Sequence, residues 1–147
     1  ILDGNRLRNI ANLRQLVKLS YLSLNNNLIE DLTGWCMEIG NIQTLNLAGN
    51  KISKLAGIAK LRSIKSLDLS CNLITKFEEI DELAGLPVLE VLGLNGNPLA
   101  LEVDYRARVI TRFDERGRDV ILDNEKCSQF EIDKAMVLSA LRKSKIG

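Results

Sequence analysis

The sequence predicts an α/β solenoid, a right-handed curved β-α superhelix of short parallel strands that ends in a C-terminal helical cap. Three observations predict it. Asn5, Asn27, Asn50, Asn72 and Asn97 recur at spacings of 22, 23, 22 and 25 residues. The last four each stand behind a leucine pair, Leu22 and Leu24, Leu45 and Leu47, Leu67 and Leu69, Leu92 and Leu94, and all five are followed by Leu7, Ile29, Ile52, Ile74 and Leu99. Finally, this pattern stops at Asn97 and a helical periodicity replaces it. Residues 1–97 therefore read as about five coils, the first truncated, and residues 98–147 as a cap and terminal helix.

The frame is LxLxxNxI/LxxL, the leucine-rich repeat. In LxL the two leucines alternate with outward residues, so both point to one face of a short strand. The following Ile or Leu turns inward as the chain leaves the strand. The Asn side chain can bond backbone groups in that turn, so that Asn5, Asn27, Asn50, Asn72 and Asn97 form a structural ladder between coils. No coil can bury its leucines alone, and the coils stack to share one core.

Taken in order, coil one runs to Leu19, with Ile10, Leu13, Leu16 and Leu19 on its return path. Coil two starts at Tyr21 and places Trp35, Ile39 and Ile42 on its convex side, where coil three has Ile58, Leu61 and Ile64. These three-residue steps suit a 3₁₀ turn or a short helix. In coil four, Glu78–Leu83 can form a true helical turn, and Pro87 ends it and returns the chain to the strand. Coil five ends at Asn97-Pro98.

Beyond it, Val103, Ala107, Val109, Ile110 and Phe113 fall near helical spacing between Glu102 and Arg116, with Gly117 as the expected C-terminal cap. Val120–Asp123 reads as a short extended segment. Ser128 and Glu131 form an S-x-x-E capping box that opens a helix to about Arg142. Leu138 and Leu141, with Phe130, Lys134 and Val137, are its expected packing face.

Composition narrows the function. Hydrophobic residues make up 46% of the 147 positions and aromatics only 4%, which suits a leucine-filled solenoid. Lys plus Arg is 20 and Asp plus Glu 19, evenly divided on either side of Asn97, so no nucleic-acid or membrane footprint is expected. Cys36, Cys71 and Cys127 form no CxxC, and no N-x-S/T sequon occurs. Reduced thiols in the cytoplasm are the expectation. The chain opens at Ile1 in mid-repeat, which reads as a piece of a longer protein.

Catalysis finds little support. There is no His, so His-based triads and His-ligated metals are excluded within the chain. Neither GxGxxG nor GxxxxGK-S/T occurs. Glu78, Glu79, Asp81 and Glu82 read as a solvated face, and Cys71 has no activating base near it in sequence. The expectation is a protein that is not an enzyme and that needs no cofactor or metal.

The 22-residue frame resembles the short intracellular subclass typified by the phosphatase-1 regulator called SDS-twenty-two. Asn97-Pro98, Tyr105-Arg106, Val109, Phe113 and Ile121-Leu122-Asp123 resemble the cap that ends many such domains. From Leu67 to Lys145, including the capping box and helix after the cap, the chain resembles the leucine-rich repeat region of the nischarin family, also called imidazoline-receptor antisera-selected proteins. That resemblance implies a cytoplasmic and endosome-associated scaffold with a lipid-binding PX domain before the repeats. The implied partners are small GTPases of the Rab and Rac kinds, kinases of the p21-activated and LIM families, and an integrin cytoplasmic tail, acting in actin organisation and cell migration. The alternative is a regulatory subunit that binds a protein phosphatase catalytic subunit; a third reading is an RNA-processing or axonemal member of the subclass.

A protein partner would meet the outward strand positions: Asp3, Tyr21, Ser23, Asn25, Thr44, Asn46, Ala48, Ser66, Asp68, Ser70, Val91, Gly93 and Asn95. Arg6, Leu28, Lys51, Leu73 and Pro98, directly after the asparagines, form the rim. The candidate contact set is Tyr21, Ser23, Asn25, Leu28, Asn46, Lys51, Asp68, Ser70, Leu73 and Asn95. Leu28 and Leu73 with Tyr21 could form an apolar strip for a GTPase switch region, set against the fact that isolated surface leucines are ordinary.

Overall fold

Each LxL segment forms one strand of a single parallel sheet. The computed structural model describes residues 20–33 and 41–146. Its strands are β1 (Tyr21–Ser23), β2 (Thr44–Asn46), β3 (Ser66–Asp68), β4 (Val91–Gly93) and β5 (Ile121–Leu122), in sequence order across the sheet. The register places Leu22, Leu45, Leu67, Leu92 and Leu122 side by side. All five are buried, none more than 3% exposed. A slip of one residue would turn this whole row outward, so burial fixes the pairing. Coil one with Asn5, as well as Trp35 and Ile39, lies outside the described residues.

The asparagines stitch consecutive coils. Asn72 Nδ2 donates to Leu69 O in its own coil at 2.9 Å and to Leu47 O in the preceding coil at 3.0 Å. Its Oδ1 accepts from Ile52 N at 3.1 Å. Asn50 and Asn97 repeat the pattern on Leu24 O and Ile29 N, and on Leu69 O and Ile74 N. These side chains are buried, and each satisfies backbone groups that the turn would otherwise orphan. The residue before each of them has positive φ: Asn26, Gly49, Cys71 and Gly96.

The convex side follows the expected steps. A 3₁₀ turn covers Ile58–Lys60, and in coil four a 3₁₀ turn at Phe77–Glu79 runs into α1 (Ile80–Ala84). Ile42, Ile58, Leu61, Ile64, Ile80 and Leu83 are fully buried against the strand leucines. Each such side chain contributes about 1.5–3 kcal/mol relative to exposure.

The cap departs from expectation in three places. α2 spans Tyr105–Arg112, starting after Asp104, whose φ of 58° breaks the chain direction. Val103 therefore precedes the helix and is 79% exposed instead of packed. Gly117 is not the C-terminal cap of α2: it lies within a 3₁₀ segment, Asp114–Asp119. A Cβ there would collide with the carbonyl of Ile110, so close approach, not a left-handed φ, calls for glycine.

The third departure concerns α3 (Gln129–Ile146). It opens on the expected capping box, with Ser128 N donating to Glu131 Oε1 at 2.9 Å and Glu131 N to Ser128 Oγ at 3.1 Å. Its buried face is the expected one only at Leu138. Ala135 and Leu138 pack on Ala107 and Ile110 of α2, while Phe130, Val137 and Leu141 are more than half exposed. Arg106 Nε donates to Glu131 Oε2 at 2.6 Å, a contact that goes with this rotation of the helix.

Candidate protein-interaction face

The outward residues of the strands form one continuous face because the parallel register stacks them in rows. Across the middle row run Ser23, Asn46, Asp68 and Gly93. Asn46 Nδ2 donates to Tyr21 Oη at 3.0 Å, which holds the half-exposed ring of Tyr21 across β1 and β2. Asn25 Oδ1 accepts from Ala48 N at 2.8 Å, so this residue is partly committed to joining coils. Asp68 Oδ1 accepts from Ser70 N at 3.0 Å. Asn95 is exposed at the end of coil five.

Ser23 departs from the expected surface role. It is 2% exposed, its short side chain lying below its larger neighbours on the face. The rim residues also separate. Tyr21 begins β1, whereas Leu28 follows Asn27 at the other edge of the face, and Lys51 takes the position between Leu28 and Leu73 in the stack of coils. Leu73 is 51% exposed and Leu28 only partly so. The three apolar residues thus do not form one strip: a seven-residue step and a lysine intervene.

One member of the face was missed. Asp123 continues the row beyond Gly93, because β5 pairs with β4 in the register Leu92↔Leu122. Its Oδ1 accepts from Leu94 N at 2.7 Å and Asn95 N at 2.9 Å, and its Oδ2 accepts from Tyr105 Oη at 2.7 Å. The signal was available in Ile121-Leu122-Asp123, whose Leu122 copies the first leucine of the repeat frame. Burial, then the Asp123 carboxylate, pushes the Tyr105 phenol well above its usual range, so it remains a donor.

Behind the face, Arg106 ties the cap together. Its guanidinium donates to Glu131 Oε2 at 2.6 Å, Leu122 O at 2.7 Å and Glu125 O at 3.0 Å. Burial would raise the Glu131 carboxyl, but the Ser128 amide and Arg106 outweigh it and hold the group below its ordinary value. Burial pushes the Cys127 thiol above its ordinary range, and its Sγ lies 3.4 Å from Gly117 O. Among the described residues, no group of three His, Cys, Asp or Glu side chains is placed to hold a metal, and no helix is long and apolar enough to cross a membrane.

An in-register parallel sheet, an asparagine ladder and a helical end cap together make this chain a leucine-rich repeat solenoid, an architecture that typically serves as a protein-interaction module. Residues 40–82 match the family described as Leucine Rich repeats (2 copies). The chain is 28% identical over 132 residues to the human serine/threonine-protein kinase 11-interacting protein, covering 74% of this chain and 12% of that protein. It is 32% identical over 111 residues to leucine-rich repeat-containing protein 23 of Bos taurus, covering 76% and 26%. It thus spans about a quarter or less of these relatives. Among solved structures, the Drosophila melanogaster SNF/U2A′ complex holds a chain that aligns with a TM-score of 0.73 at 20% identity, over 97% of this chain and 86% of that one. That likeness is one of fold.

Proposed function

We propose that this chain is the partner-binding segment of a cytoplasmic scaffold that recruits signalling proteins, small GTPases of the Rab or Rac kind and protein kinases, through its strand face. The observation that carries the reading is the face itself. Five strands, four from the repeat coils and β5 from the cap, align mostly small polar side chains in register as one continuous surface that a folded partner can cover. Two further points support it. The relative that matches over 132 residues is named for its interaction with a kinase. The capping box and helix after the cap stand where the nischarin family has them, a family of GTPase- and kinase-binding scaffolds in actin organisation and cell migration. Endosome association would come from domains outside this chain. On this reading it is not an enzyme.

The test is capture from cytosol on immobilised chain, after loading with GTPγS or with GDP. The expected result is enrichment of a Rab or Rac protein in the GTPγS lane alone, lost with Tyr21→Ala and Leu73→Asp while the melting temperature holds. Equal or absent GTPase in both lanes, with a phosphatase or kinase catalytic subunit captured instead, would overturn the GTPase reading in favour of a regulatory scaffold that binds such enzymes directly.

A further inference from the structure

We infer that the cleft above Gly93 receives an arginine side chain of the protein partner. The inference rests on the reading of this chain as a protein-binding module and names the chemistry of its contact. Gly93 is the one residue of the middle row without a side chain, between Asp68 on β3 and Asp123 beyond β5. The gap leaves a cleft of about 160 Å³ floored by Gly93 and walled by Asp68, Ser70, Asn95 and Asn124. This is smaller than the roughly 300–1,000 Å³ of small-molecule sites and suits the head of a single side chain.

The walls are rich in acceptors and carry no cation. A Cβ at Gly93 would stand 2.7 Å from Asp68 Oδ1 and 3.0 Å from Ser70 Oγ, so both oxygens lean over the glycine. Asp68 Oδ1 is engaged by Ser70 N, but Asp68 Oδ2, Ser70 Oγ and the Asn95 side chain have no protein partner among the described residues. No described outward position on the five strands is lysine or arginine. Asp68 forms no salt bridge among the described residues. A guanidinium brings five N–H donors in one plane and answers a carboxylate with flanking oxygens better than the three donors of an ammonium.

The experiment is a titration of the ¹⁵N-labelled chain with N-acetyl-arginine amide, N-acetyl-lysine amide and N-acetyl-citrulline amide, followed by amide shifts. Citrulline keeps the shape and loses the charge. The expected result is saturable shifts of the Gly93, Ser70 and Asn95 amides with arginine, at a dissociation constant on the order of 10 mM. Lysine should bind at least threefold more weakly and citrulline not measurably. Asp68→Asn should abolish the arginine response while the remaining spectrum is retained. Equal response to arginine and citrulline, an unchanged response in Asp68→Asn, or no shift at these amides would overturn the proposal. Failure here with GTPγS-dependent capture intact would sink the cleft alone; failure of capture with the arginine response intact would sink the GTPase reading alone.

Discussion

Tyr105 Oη donates to Asp123 Oδ2 at 2.7 Å, and the other oxygen of the same carboxylate closes the amides of Leu94 and Asn95. One aspartate therefore does for coil five what a further repeat would have done: it satisfies the edge of the last turn. Tyr105, the first residue of α2, is what holds it there.

Tyr105→Phe should lower stability by about 1–2 kcal/mol by leaving Asp123 Oδ2 without its donor. Asp123→Ala should cost more, about 2–4 kcal/mol, because two backbone donors lose their acceptor as well. The double variant should cost less than the sum, since both remove the same bond. Urea denaturation of the three variants measures this; strict additivity would show that the phenol and carboxylate act independently.

In the ladder, Asn72→Ala should cost about 3 kcal/mol, since three buried backbone groups lose a partner. Asn72→Asp should be no better although it is the closer shape. The amide nitrogen faces the carbonyls of Leu47 and Leu69, and a carboxylate oxygen there would meet acceptors with an acceptor. Thermal unfolding ranks the two, and a near-native Asn72→Asp at neutral pH would contradict the assigned bonds.

Gly96 and Cys71 should be coupled. A Cβ on Gly96 would lie 2.7 Å from Cys71 Sγ, and Gly96 also has a φ of 77°. Gly96→Ala should destabilise by about 1–3 kcal/mol through strain and contact together. In a Cys71→Gly background the thiol contact is gone while the φ strain and the 3.1 Å approach to the residue 71 backbone nitrogen remain, so the same substitution should cost measurably less. An unchanged cost would show that the backbone alone demands the glycine.

Leu47 is fully buried between two coils, and Leu47→Ala should cost about 2–5 kcal/mol. Its effect should spread to the amides of both adjacent coils in hydrogen exchange, as expected where stability is shared between neighbours. Protection lost in one coil only would argue against a continuous core.

Docking of α3 should weaken in acid. The Glu131 carboxyl sits below its ordinary value in the folded protein, so its charge stabilises the cap at any pH above the ordinary carboxylate range. That contribution falls away as pH drops through the lowered folded value, below about 4.5. Protection factors of the α3 amides, corrected for the intrinsic pH dependence of exchange, should therefore fall below that pH before those of the repeats. Glu131→Gln should remove the dependence and loosen α3 at neutral pH, by about 1 kcal/mol for this partly exposed pair.

The repeats were legible in the sequence because their information is local and recurrent. A leucine pair three and five residues before an asparagine states strand, inward face and turn within a few residues, and four described copies state it again. The capping box at Ser128 and Glu131 was legible for the same reason: both bonds lie within one helical turn. What the sequence could not decide is where non-local partners settle. In α3, Arg106 meets Glu131 across 25 residues and Ala135 packs on α2, while Phe130, Val137 and Leu141 face outward against their own periodicity. Gly117 was made necessary by the carbonyl of Ile110, and the cleft above Gly93 opens because a residue without a side chain falls in a row that runs from Ser23 on β1 to Asp123 beyond β5. Local spacing determines the coils, whereas only the stacked structure decides which surface they leave open, since a surface is made by residues distant in the chain meeting side by side.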